Sequence, residues 1–313
     1  MKLPMNSDIL PPSDDYVFKT LLTHPDAKPA LIDLLSAIVG REVTDVVIRN
    51  NELPAADVDE KNERLDVNCT AVDDGSQINV EMQGSRLAED AESIEGNESF
   101  INKYIYYMTD LHSSQKSKGV EYFNLARTYQ VTFSMYTVFS RRKGFLTPVN
   151  LRAPDGELIS DQINMIIIEL SKLGDVLKKP VEEMTPLEMW SVFLGHADDP
   201  RKRELVNEIL ERKEALGMAG AILATISKDE DEKAKFRSRR KAETDRISDL
   251  LTSRANGAFE ERAKWKVIVS EKDAEIADKD AAIAGKDAAI AGKDAEIADK
   301  DAEIARLRAQ LAK

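Results

Sequence analysis

Residues 64–83, RLDVNCTAVDDGSQINVEMQ, form the stretch on which the fold turns. The Asp-Gly pair at 74–75 is a strong turn signal, and short runs containing β-branched residues flank it, so the stretch predicts a β-hairpin. Taking Asp73–Ser76 as the turn pairs Val72 with Gln77. That register sets Asp66 across from Gln83 and Asn68 across from Glu81. Side chains alternate along a strand. One face then carries Asp66, Asn68, Thr70, Gln77, Asn79, Glu81 and Gln83. The other carries Leu65, Val67, Cys69, Ala71, Ile78, Val80 and Met82. A slip of one residue would mix the two sets.

The segregation has two readings. Antiparallel hairpins commonly bury one face and leave the other wet, and the polar set fits that without chemistry. The sharper reading is that Asp66 and Glu81 lie diagonally across two strands, roughly 7–8 Å apart at the backbone. Carboxylates so placed can converge on one hard cation. Oxygen donors without thiols suit Mg²⁺ or Mn²⁺ rather than zinc. Such an ion lowers the pKa of a bound water and offsets charge on a phosphodiester under attack.

Working outward, PPSDDYVFKTLLTHP predicts a short helix with Ser13 as its N-cap, two aspartates at its positive end and Pro25 closing it. Residues 27–39 predict a second helix stopped by Gly40. EVTDVVIRNNEL reads as a strand. A helix is expected over residues 95–116, with Phe100, Ile101, Tyr104, Ile105 and Met108 at helical spacing and Gly119 as its breaker. TYQVTFSMYTVFS reads as a central strand, apolar on both faces. APDG marks a turn before a further strand at INMIIIEL. Beyond Pro186 the pattern is almost wholly helical.

Composition narrows the classes. The 313 residues carry a formal net charge of −13, which argues against a protein that coats nucleic acid nonspecifically but leaves room for one local basic groove. Cys69 stands alone, so no internal disulfide or zinc cluster is expected, and a reducing, cytoplasmic setting follows. The opening MKLPMNSDILPP lacks a signal-peptide apolar core, and no run approaches a membrane span. The tail is a seven-residue repeat over residues 272–306, with isoleucine at 276, 283, 290, 297 and 304. A coiled-coil seam needs a second apolar position per heptad. Lys279, Asp273 and Asp280 occupy those places, so the tail reads as a solvated helix, with homo-oligomerisation as the alternative.

At this point the residues carry a resemblance. Asp66, then Glu81-x-Gln83 on the next strand, preceded by a helix bearing DDYVFK, resembles the PD-(D/E)xK nuclease superfamily. More narrowly, the chain is similar to the Rpn-type recombination-promoting nucleases and putative transposases. NVEMQ, YIYYMTDL, VEYFNLARTYQVTFSMYTVF and AKFRSRRKAETDRISDLL extend the likeness over roughly residues 10–260. It implies an α/β fold, a mixed sheet of restriction-endonuclease type flanked by helices, then a helical region and a long C-terminal helix. The expected divisions are 1–180, a nuclease-like domain, 181–262, a helical region, and 263–313, the heptad tail. It also implies Mg²⁺-dependent cleavage of DNA linked to recombination or transposition. Residue by residue, it makes Asp66 and Glu81 the metal ligands and puts Gln83 where the superfamily often has lysine. An amide can orient a water but brings no positive charge. Arg64 and Lys103 are the candidates for that charge. Asp15 matches the acidic residue of the first-helix motif, although a helix-dipole aspartate paired with Lys19 explains it equally simply.

Other constellations are weak. His24, His112 and His196 are scattered, and no phosphate-binding glycine loop occurs. RSRRK, residues 237–241, could touch phosphates, yet it sits beside KDEDEK and suits a salt-bridged surface helix. Two functions therefore compete: a metal-dependent endonuclease, and a catalytically weak or inactive nuclease-fold module that binds DNA or protein with an oligomerising helical tail.

Overall fold

The computed structural model describes residues 2–5, 8–49, 67–84, 94–116 and 121–311. Helix α1, Asp15–Leu22, begins the core, and helix α2, Lys28–Val39, follows a 3₁₀ turn at Pro25–Ala27. The N-cap of α1 is Asp14 rather than Ser13: its carboxylate accepts the backbone N–H groups of Tyr16 and Val17. Gly40 ends α2 in the left-handed conformation, φ 72°, where a β-carbon is unfavourable.

Strands β1, Val46–Ile48, β2, Val67–Ala71, and β3, Gln77–Gln83, pair antiparallel in succession, β1 with β2 and β2 with β3. Helix α3, Ile94–Ser113, leads to β4, Thr128–Ser134, which lies parallel to β3. Strands β5, Leu146–Arg152, and β6, Leu158–Glu169, complete a six-stranded mixed sheet in the order β1-β2-β3-β4-β6-β5. Strand β4 is central, as its sequence suggested. β5, at the sheet edge, escaped the sequence reading because Pro148 and Asn150 break its pattern, features an edge strand tolerates.

The hairpin register differs from the expected one by two residues. Thr70 faces Gln77 and Asn68 faces Asn79, not Glu81. The cause is the turn. Ala71 and Ser76 are already bonded, so the loop is Val72–Gly75, with Gly75 left-handed at φ 73° and the Asp74 carboxylate accepting the Ser76 N–H at 2.9 Å. Arg41 bridges Asp73 and Asp74 and pins this loop. Because the shift is even, each side chain keeps its face.

Helices α4, Pro186–His196, α5, Arg203–Arg212, and α6, Glu214–Ile226, share one hydrophobic core with α1, α2 and the apolar face of the sheet. Phe18 and Phe133 meet in that core with ring centroids 6.1 Å apart. Trp190 donates its indole N–H to Asp33 at 2.8 Å, tying α4 to α2. Helix α3 covers the other sheet face with Phe100, Tyr104 and Met108, which pack with Met165 and Ile167. Helix α7 runs Glu230–Leu311, and Phe236 near its start is buried in the main core. The chain divides into two compact units, Met1–Ala242 and Glu243–Lys313. Within the second, the repeat isoleucines are 45–56 % exposed. Among the described residues no helix is long and apolar enough to cross a membrane.

Candidate active site

The polar face of β3 is not wet. Asn79 is fully buried and Glu81 is 3 % exposed. The parallel register carries the same character into β4, where Thr128, Gln130, Thr132 and Ser134 lie opposite Gln77, Asn79, Glu81 and Gln83 and are all fully buried. Strand β4 is thus apolar on one face only; its alternation T-Y-Q-V-T-F-S showed as much in the sequence. A polar side chain taken from water without a partner costs about 1–3 kcal/mol, so a buried row of this kind is an expensive choice for a sheet interior.

Hydrogen bonds offset part of that cost. The Asn79 amide nitrogen donates to Glu81 Oε1 at 3.1 Å and to Gln130 Oε1 at 2.9 Å. Thr128 Oγ1 meets His112 Nδ1 at 2.9 Å and accepts the Gln115 amide at 3.0 Å. Burial lowers the His112 pKa from its ordinary value and so favours the neutral ring. Two oxygens beside Glu81 lack partners among the described residues: Asn79 Oδ1, and Oγ1 of Thr132, the residue directly across the ladder. The donors gathered here are a carboxylate, an amide oxygen and a hydroxyl, with no thiol on this face. That set fits a hard divalent cation.

Further along the same row Glu169 closes β6. Its Oε1 accepts the Val138 and Phe139 N–H groups at 2.7 and 3.1 Å and pairs with Lys172 at 2.8 Å. It is a structural carboxylate holding the loop after β4.

The sequence-derived site residues fall out unevenly. Glu81 and Gln83 share one face of β3, and the Gln83 amide donates to the Met82 carbonyl at 3.2 Å. Asp66 and Arg64 lie outside the described residues. Lys103 sits exposed on α3 with its ammonium over the Tyr104 and Tyr107 rings, at 5.0 and 5.3 Å from their centroids. Asp15 is exposed, and its carboxylate accepts the Tyr16 N–H at 2.7 Å.

The sequence reading missed Asp14 and the environment around it. Gly84, next after Gln83, is so close to the N-terminus of α1 that an added β-carbon would lie 2.8 Å from the Ser13 carbonyl oxygen. The start of α1 is therefore pressed against the carboxyl end of β3. Burial, reinforced by the charge of Asp15, raises the Asp14 carboxyl above the ordinary range, while Arg240 opposes the shift. The Asp14–Asp15 pair carried the signal, but Ser13 competed for the cap. Thr132 was missed because β4 was read as apolar throughout. A surface groove of about 1050 Å³, lined by Lys28, Asp33, Arg41 and Lys213 among others, includes none of these residues.

A family model described as PD-(D/E)XK nuclease family transposase matches residues 12–253. Comparison with curated proteins and with solved structures found no match. The chain belongs to the PD-(D/E)XK nuclease family transposases, and its mixed sheet with flanking helices agrees with that nuclease core.

Proposed function

We propose that the protein is an endodeoxyribonuclease that hydrolyses DNA phosphodiester bonds with Mg²⁺ or Mn²⁺, in the cytoplasm and in the service of recombination or transposition. The observation that carries this reading is Glu81: a buried carboxylate, held by the Asn79 amide and flanked by two buried oxygens that have no partner among the described residues. Asp66 would supply the second carboxylate. It immediately precedes Val67, whose partner across the ladder is Val80, the neighbour of Glu81. When bound, the metal would acidify a water and neutralise phosphate charge. Glu81 and Asp66 would hold it. Gln83, on the same face as Glu81, would orient the attacking water through its amide, supplying geometry but no charge. Asn79 would fix the rotamer of Glu81, since a metal-ligating carboxylate is itself held by a hydrogen bond.

The test is nicking of supercoiled plasmid by the full chain with Mg²⁺, Mn²⁺ or neither. Cleavage should require the metal and disappear in Asp66→Ala and Glu81→Ala while thermal melting stays cooperative. Undiminished cleavage by both variants would sink the assignment. One observation favours a second reading, a DNA-binding module without catalysis: the Gln83 amide is turned onto the Met82 carbonyl and is neutral. In that case DNA binding would persist in both variants and the wild type would cut with no metal tried.

A further inference from the structure

We propose that Arg237, Arg239 and Arg240, at the root of α7, form a phosphate-gripping surface for the DNA backbone beside the carboxyl end of β3. The proposal rests on the nuclease reading for the identity of the polyanion, but the surface is built from its own contacts.

Its position follows from three contacts. Phe236 is buried in the main core and anchors the first turns of α7. The Tyr16 hydroxyl donates to Glu232 Oε2 at 2.6 Å, fastening α7 to α1. Gly84 in turn fixes the start of α1 against the end of β3. The run therefore sits next to α1, the helix that borders Gln83, where the superfamily's lysine charge is absent.

Its electrostatics separate it from an ordinary salt-bridged helix. Two acidic residues of the preceding stretch are matched to lysines, Glu230 with Lys233 at 2.8 Å and Glu232 with Lys235 at 2.7 Å, and Asp229 accepts the backbone N–H groups of Asp231 and Glu232. Arg237 is only 4.0 Å from Glu230, at the limit of an ion pair, and its side chain is exposed. Arg239 makes no ion pair among the described residues; its guanidinium lies 4.5 Å from the Tyr16 ring centroid. Stacking uses the flat face of a guanidinium and leaves the N–H groups on its edge for bidentate contact with a phosphate. The ring is itself held by Glu232, so the aromatic seat beneath Arg239 is in place before a ligand arrives. The Arg240 guanidinium lies 5.9 Å from the centroid of the buried Phe236 ring, and its charge acts on Asp14 at the start of α1. In a chain of net charge −13, these cations give DNA a defined place to land.

The experiment is fluorescence anisotropy of a labelled duplex with the full chain, Ca²⁺ replacing Mg²⁺ to suppress cleavage, across a salt series. Each neutralised phosphate contributes about 0.9 to the slope of log K against log salt. The triple variant Arg237→Gln/Arg239→Gln/Arg240→Gln should lower that slope by about 2–3 and weaken binding roughly tenfold or more at low salt. The double variant Arg237→Gln/Arg240→Gln leaves the Tyr16 stack intact. It should lower the slope by about 2 and decides the matter if the triple variant unfolds. An unchanged slope, or a wild type that binds no duplex, overturns the proposal. Glu81→Gln, run alongside in the plasmid assay with Mg²⁺, should fail to cut. If it cuts like wild type, the catalytic reading fails while the arginine surface stands.

Discussion

The two faces of strand β3 are both largely buried and built on opposite principles. On one, Ile78, Val80 and Met82 join Phe133 and Phe18 in a continuous apolar core. On the other, Asn79 and Glu81 meet Gln130 and Thr132 beneath α3, with two oxygens unpartnered among the described residues. The first face is what folding selects. The second costs stability, and its burial has a use only if a dry set of oxygen donors does something that a wet one cannot. Burial alone, then, does not separate framework from site here; the chemistry of what is buried does.

Substitutions on each face should respond accordingly. Glu81→Ala should reduce metal-dependent cleavage by more than about 100-fold while the urea midpoint moves little, and the two numbers from one preparation make the contrast directly. Phe133→Ala, fully buried on the apolar side, should cost about 3–5 kcal/mol in equilibrium unfolding. A loss below about 1 kcal/mol would show that the apolar face is not the framework.

Smaller effects sharpen the boundary. Asp14→Ala should cost about 1 kcal/mol through the lost helix cap, whereas Asp14→Asn keeps the cap. The pH dependence has a definite sign. The native Asp14 carboxyl is raised above 3.8, so the folded state holds more protons. Its contribution to stability therefore falls as pH rises from about 3.8 through its higher native value. Asp14→Asn should flatten that part of the melting-temperature profile. Thr132→Val removes a buried hydroxyl that has no partner among the described residues and should leave stability unchanged or raise it by up to about 1 kcal/mol. If it lowers stability instead, the polar row is structural. Smallest of all, Cys69, whose buried thiol is pushed up to about 12, should resist a thiol-specific reagent until the sheet opens.

Much of this was legible in the sequence, for reasons that particular residues display. The alternation in β2 and β3 fixed which side chains share a face, and it survived an error of two in register because parity is all that the pattern encodes. Gly40 and Gly75 marked a helix end and a turn, since each takes a left-handed conformation. The register itself was not legible: loops of four residues starting at Val72 or Asp73 both contain Asp-Gly, and Arg41, far away in sequence, holds the one adopted. The cover over Glu81 was equally hidden, because nothing in NVEMQ says that Tyr104 and Met108 come to lie on its polar side. The neighbourhood of Arg239 and Tyr16 joins residues more than two hundred positions apart, a tertiary fact that local pattern does not carry.

Gly84 has a practical consequence for anyone who randomises this region. In a saturation library it should score like a reacting residue, with nearly every replacement impaired, although it has no functional group. The side chain it lacks would wedge the first helix away from the end of the third strand. A tolerance map alone would therefore mislabel a spacer as chemistry. Only a second readout, such as a melting temperature that falls together with activity in Gly84→Ala, would tell the two apart.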